Sequence, residues 1–255
     1  MIKALCTCAV LCVRPPFLYT QGSAGTTTNV EPRFLVDIPT AGMLPQAGVG
    51  LDVDFYQQGG VLVGVGVGIL DRLSIGVSYG GSGLIGDQQP DMNNYPGVSI
   101  KLRPFEESDA FPALAFGFDS QGRDGWLDDL DRYRVKSPGF YAALSRNYAW
   151  FGYFSLHGGV NYSMEHGDGD QDVNFTAGLE KSLGNVFSTV LEYNLGLNDS
   201  DHDAIGKGRG YLNAGLRWSA GGGLTLALHF KDLLQNARGV DAINRTFRLE
   251  YAKFF

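Results

Sequence analysis

From residue 47 onward, apolar and polar residues alternate with a period of two, the pattern of a strand with two unlike faces. Val49, Leu51, Val53 and Phe55 alternate with Asp52 and Asp54, and Val61, Val63, Val65, Val67 and Ile69 with Gly64, Gly66 and Gly68. The alternation recurs over 73–79, 98–102, 114–118, 140–144, 154–162, 173–179, 187–195, 212–218, 224–230 and 247–251. These twelve stretches predict twelve strands, several of them longer than the five or six residues usual in globular proteins. One face is apolar. The other carries Gly, Ser, Asn and charges. A soluble sandwich would bury the apolar face, whereas a transmembrane barrel turns it to lipid and keeps the polar face for the lumen.

The connections separate these two readings. On one side they are short: 71–72, 104–110, 147–150, 183–185 and 220–223. On the other side lie 57–60, 81–94, 120–137, 165–171, 198–207 and 232–243, all but the first of them longer. Short periplasmic turns alternating in phase with long outer loops are the outer-membrane arrangement, and an even strand count returns both ends to the periplasm. Tyr79, Tyr95, Phe111, Tyr162, Tyr193, Trp218 and Tyr251 fall near strand ends, where interfacial girdles sit. The predicted fold is therefore an all-β, 12-stranded antiparallel transmembrane barrel over 47–255, located in the bacterial outer membrane and facing its lipid.

Composition agrees. Glycine supplies 36 of 255 residues, about twice the usual share. Of the 27 acids, Asp far outnumbers Glu, which favours turns over helix. The net charge of −7 argues against a nucleic-acid partner. No apolar run is long enough for a membrane-spanning helix, which leaves a barrel open.

Lys3 followed by the apolar run Ala4–Val13 reads as a secretory signal peptide, with cleavage placed after Ala24 by Gly22-Ser23-Ala24. The alternative is a buried N-terminal element. Cys6, Cys8 and Cys12 all fall within 1–24, so the mature chain would hold no disulfide and no thiolate site. A lipid anchor on Cys12 has a poor lead-in from Ala9-Val10-Leu11. Residues 25–46 form an intervening periplasmic or plug segment. Arg33 to Leu44 within it is apolar enough to want burial and is held by Pro39 and Pro45.

On this register Asp52, Asp54, Lys101, His157, Glu180, Glu192, Arg217, Lys231, Arg248 and Glu250 face the lumen. They are either a salt-bridge network that stiffens the barrel or a charged pore lining. Gly64, Gly66, Gly68, Gly76 and Gly80 also point inward, opposite the larger His157, Glu192, Arg217 and Arg248. The lumen is therefore expected to be lopsided, with 33–44 lying against the glycine face as a partial plug. The competing explanation is that these glycines only permit strand coiling.

Gly76-Val77-Ser78-Tyr79-Gly80 matches a nucleophile motif, but that motif works at a strand-to-helix elbow and this one lies inside an alternating strand. Gly64, Gly66 and Gly68 precede no helix, as a nucleotide loop requires. A lipid-modifying barrel enzyme needs a base beside its nucleophile on the lipid face. His157 and His229 face the lumen here, and His166 and His202 fall in outer loops. No catalytic residue and no cofactor are expected. Glu165, Asp168, Asp170 and Asp172 offer hard oxygen ligands for Ca²⁺, yet Val173 and Leu179 break the EF-hand pattern, so no firm metal site is assigned.

The ending Phe247-Arg248-Leu249-Glu250-Tyr251-Ala252-Lys253-Phe254-Phe255 resembles the C-terminal strand of bacterial outer-membrane barrels, which implies that the barrel-assembly machinery reads Phe255. Phe34-Leu35-Val36-Asp37-Ile38-Pro39-Thr40-Ala41-Gly42, followed by Gly48-Val49-Gly50-Leu51-Asp52-Val53, resembles the opening of the YjbH-type outer-membrane proteins. The runs Ser137–Tyr141, Leu156–Tyr162 and Gly206–Gly215 are similar to a smaller single-barrel group of the same kind. The resemblance implies an association with exopolysaccharide or capsule production. The leading expectation is a passive pore or export component for polysaccharide or another small polar solute. The alternatives are a non-conducting barrel that scaffolds an envelope complex and an outer-membrane lipid-modifying enzyme.

Overall fold

The computed structural model describes residues 30–201, 203–240 and 242–255. The leader expected at 1–24, its three cysteines, and His202 lie outside the described residues. In chain order the described strands are β1 (Gly48–Tyr56), β2 (Gly60–Leu70), β3 (Leu73–Ser82), β4 (Asp91–Met92), β5 (Gly97–Phe105), β6 (Ala113–Asp119), β7 (Arg123–Leu127), β8 (Arg132–Val135), β9 (Gly139–Ala149), β10 (Tyr153–Tyr162), β11 (Asn174–Leu183), β12 (Phe187–Asn194), β13 (Tyr211–Gly221), β14 (Leu224–Lys231) and β15 (Asn244–Phe254). Twelve of them close a barrel in the order β1-β2-β3-β5-β6-β9-β10-β11-β12-β13-β14-β15, and β15 pairs back onto β1. Every barrel pairing is antiparallel, so no sheet edge is left open.

The alternation sets which way each residue faces. On β2, outward Val63, Val65, Val67 and Ile69 are 38% to 44% exposed. On β14, outward Leu228 and Phe230 are exposed, while Thr225, Ala227, His229 and Lys231 between them are buried in the lumen. β-Branched and aromatic side chains suit this pleated outer surface. Aromatic pairs mark the inner rim: Trp150 meets Phe154 edge-on at 5.7 Å, and Phe187 stacks on Trp218 at 6.3 Å. Tyr79 and Tyr95 are exposed at the outer rim. A closed barrel wearing an apolar belt between aromatic girdles satisfies its backbone internally and is stable in lipid. The chain is an outer-membrane barrel.

Local irregularities have local causes. Pairing between β5 and β6 skips between Leu102 and Phe105, where Pro104 has no N–H for the ladder. Lys253 stands on the outer face at the inner rim, its ammonium 4.9 Å from the Phe255 ring, so its stem lies along apolar surface while its charge reaches the interface.

Two elements depart from the sequence expectation. The expected open loop 120–137 carries a second sheet, β7 paired with β8, closed by Trp126 against Tyr133 at 4.9 Å. Asp124 and Gly125 take positive φ there, so the pairing bulges and its period of two is interrupted in sequence. The hairpin folds inward: Arg123 reaches Asp54 on β1, and Asp124 reaches Lys231 on β14. The second departure is the N-terminal segment.

Candidate functional site

Residues 30–46 enter the lumen from the periplasmic end as a finger. Its tip is a tight turn: Leu35 N–H donates to Ile38 O, Thr40 N–H donates to Arg33 O, and Phe34 bridges Pro39. This turn points three consecutive N–H groups the same way, and such concavities attract anions. Glu192 on β12 fills that role. Its Oε2 accepts from Val36, Asp37 and Ile38 at 2.8, 2.9 and 3.1 Å, and its Oε1 accepts from Asn213 Nδ2 at 2.8 Å.

The carbonyls of the finger meet cations. Arg217 on β13 donates to Phe34 O and Leu35 O at 2.7 and 2.9 Å. Lys101 on β5 donates to Arg33 O, Thr40 O and Gly42 O within 3.3 Å. Ala41 N–H donates to Ser145 Oγ, which also shares a 2.8 Å hydrogen bond with His157 Nδ1. Arg33 pairs with Asp52, Glu31 with Arg103, and Asp37 with Lys231 at 2.7 Å. Leu35, Val36 and Ile38 pack with Val190 of β12 in an apolar cluster inside the lumen.

Of the residues expected in the lumen, Asp54, Lys101, His157, Glu180, Glu192, Arg217, Lys231 and Arg248 are buried, while Asp52 and Glu250 pair with Arg33 and Arg217. Lys101, Glu192, Arg217, Lys231 and Asp52 fasten the finger directly. Asp54 pairs with Arg248 and Arg123, Glu180 accepts from Ser188, and Glu250 lies 3.2 Å from Arg217. The finger follows the glycine face only near its base. Pro45 O and Leu44 O press on Gly68, and Leu44 and Arg33 cover Gly66. The tip crosses to the far wall, where Leu35 lies against Gly178 of β11. Glu192, Arg217 and Val190 draw it there, which corrects the expected path of 33–44 against the glycine face of β2 and β3.

Three adjoining cavities lie above and beside the finger. An outer vestibule of about 70 Å³ has Asp37, Asp124 and Lys231 at its floor and Asn161, Asn174 and Asn194 along one rim. A neck of about 10 Å³ shares that floor and continues to Asp54, Leu62 and Arg123. A chamber of about 70 Å³ follows along the glycine wall, between Gly64, Gly66 and Gly76 on one side and Arg33 and Phe34 on the other. A separate cavity opens at Glu31, Arg103 and Glu107 on the periplasmic side.

The acidic outer loop does not present a ligand set. Asp168 and Asp199 hold the fully buried Arg132 guanidinium, and Lys136 reaches Asp168 at 2.8 Å. Glu165 accepts from Tyr133 N–H and Ser137 N–H, and Asp170 accepts from Ser200 and Asp201 N–H. These carboxylates tie loops together instead of pointing at a common centre, and among the described residues no group of three His, Cys, Asp or Glu is placed to hold a metal. Burial pushes the Glu165 carboxyl up. Burial also raises Asp170, but the backbone donors of Ser200, Asp172 and Asp201 outweigh it and hold that carboxyl below the usual range. The other motifs are spent structurally. Ser78 lies mid-strand on β3 and donates to Gln121 Oε1, and His166 sits in its outer loop against Ser163 O.

Sequence reasoning missed Arg33, Arg123, Asp124 and Arg132, all outside the barrel strands or in the inward hairpin. One signal was present: Leu62 and Val190 are apolar residues on polar lumen faces, buried at 4% and 1%. An apolar side chain facing an aqueous lumen marks a place where something apolar covers it.

No protein-family model and no curated protein matches the chain. Among solved structures, the KdgM porin aligns with 82% of this chain and 99% of its own at 6% identity and a TM-score of 0.47. The NanC porin aligns with 81% and 99% at 9% identity and 0.43. An outer membrane channel from Pseudomonas putida F1 aligns with 89% and 100% at 14% identity and 0.42. At these identities the likeness is one of barrel shape.

Proposed function

We propose that the protein is an outer-membrane pore for a polar solute, held shut by its own N-terminal finger. One observation carries this reading: a polar vestibule open to the outside ends on a finger tip gripped by Glu192, Arg217 and Lys101. The finger is held by hydrogen bonds to charged lumen side chains, each worth about 1.5–3 kcal/mol net, and water can take the place of each partner in turn. Polysaccharide is the finer form of the cargo, supported by the YjbH-type resemblance of Phe34–Gly42. The C-terminal Phe255 is the feature offered to the assembly machinery, and the lipid belt is the second partner surface.

Deleting residues 30–44 and recording in planar bilayers tests the reading. The expected outcome is discrete openings from a barrel that still assembles, against a parent that is mostly closed. The continuous seal formed by the finger and the inward hairpin equally favours a non-conducting scaffold, and a silent deletion variant would decide for that rival.

A further inference from the structure

Resting on the pore reading, we infer that solute passes along the glycine wall of β2 and β3, beside a finger that stays seated, and that Met43-Leu44-Pro45 is the gate at the periplasmic end of this route. The vestibule, neck and chamber adjoin in sequence: the first two share Asp37, Asp124 and Lys231, and the last two share Asp54, Leu62 and Arg123. The glycine wall is uncovered wherever the finger has left it. A Cβ added at Gly64 would meet nothing nearer than 3.8 Å. Two residues further toward the periplasm the wall is covered, and at Gly68 an added Cβ would fall 2.0 Å from Pro45 O and 2.6 Å from Leu44 O. Met43 Sδ lies 3.9 Å from Ser74 Oγ on the neighbouring strand. The chamber's lining stops at Gly66, which Leu44 Cδ1 covers beside the Arg33 guanidinium, and the apolar segment Met43-Leu44-Pro45 at the finger's root closes the wall beyond it. Hydrophobic constrictions of this kind close a pore by excluding water.

The lining sets the class of solute. Asp52 faces Arg33, and Asp54 faces both Arg123 and Arg248. Lys231 stands between Asp37 and Asp124, and Asp119 accepts from Gln121 N–H. The charges largely compensate one another, so the route offers little net field to select a sign. The neck leaves only about 10 Å³ between these paired side chains, room for about one water. The fitting class is water or a small ion, whereas a sugar or a polymer requires the finger to leave.

The neighbouring glycines make opposite predictions. Gly68→Val in the full chain pushes out Leu44 and Pro45 and is expected to raise the current about tenfold by lifting the hydrophobic gate. Gly64→Val leaves the gate seated, stays closed, and narrows the current when added to Gly68→Val. In a background lacking the three native cysteines, Gly64→Cys combined with Gly68→Val should lose more than about half its current to a cationic methanethiosulfonate reagent that lodges in the narrow route. Val190→Cys combined with Gly68→Val should be protected beneath the finger tip. Met43→Ser with Leu44→Ser lifts the same gate without touching the barrel wall, and covers the case in which Gly68→Val fails to assemble. The inference is overturned if both gate variants assemble but stay silent while the 30–44 deletion conducts, or if the reagent blocks at position 190 and spares position 64. Silence of the deletion variant as well removes the pore reading beneath it.

Discussion

At the scale of single residues, the lumen works by pairing backbone groups with side chains that the alternation had already turned inward. Glu192 is the clearest case. It is fully buried, yet its carboxylate accepts four hydrogen bonds, three of them from the finger tip. Glu192→Ala leaves those buried donors without partners, at about 1–3 kcal/mol each where water cannot replace the acceptor. The expected outcome is a finger that detaches, read as protease cleavage within 30–46 and as new conductance. Glu192→Gln keeps one acceptor oxygen in place and should release the finger less. The inward direction of Glu192 was legible from a period of two. Its three partners on the finger were not, because they lie more than 150 residues away in the chain.

At the scale of elements, strands and loops differ in how local their causes are. The barrel strands follow from alternation within each one. The β7–β8 hairpin depends on contacts made elsewhere, and so do the long outer loops around it. Arg132 at the start of β8 joins Asp168 and Asp199 from two other loops. Removing one partner from a buried ion pair costs about 3–5 kcal/mol. Arg132→Ala should therefore free the outer loops to external protease, while the barrel retains its heat-modifiable band. Asp170 gives the same loops a pH dependence. Its folded pKa lies below the ordinary 3.8, so its contribution is complete above the unfolded value and is lost as pH falls through the folded one. Loop protection should persist at about pH 5 and fail only below about pH 4. Protease protection measured across that range checks it, and Asp170→Asn should weaken the dependence, leaving the part carried by Glu165, Asp168 and Asp199.

At the scale of the whole molecule, a closed antiparallel sheet with an apolar exterior leaves no edge to aggregate and no aqueous surface around its waist. The protein should be extracted only by detergent and should migrate faster unboiled than boiled on gels, since the folded barrel resists the detergent. Recovery as a detergent-free soluble monomer would contradict the fold. Twelve strands, their inward and outward faces, and the phase of short and long connections were all determined by the sequence alone. The physical reason is that each is set by residues adjacent in the chain, through the pleat and the cost of burying polar backbone in lipid. What fills the lumen was decided only by tertiary structure. Whether Asp52, Lys101, Glu192 and Arg217 line open water or grip a peptide depends on where residues 30–46 go. That choice is made by donors and acceptors on separate strands converging on one turn, and no local pattern encodes it.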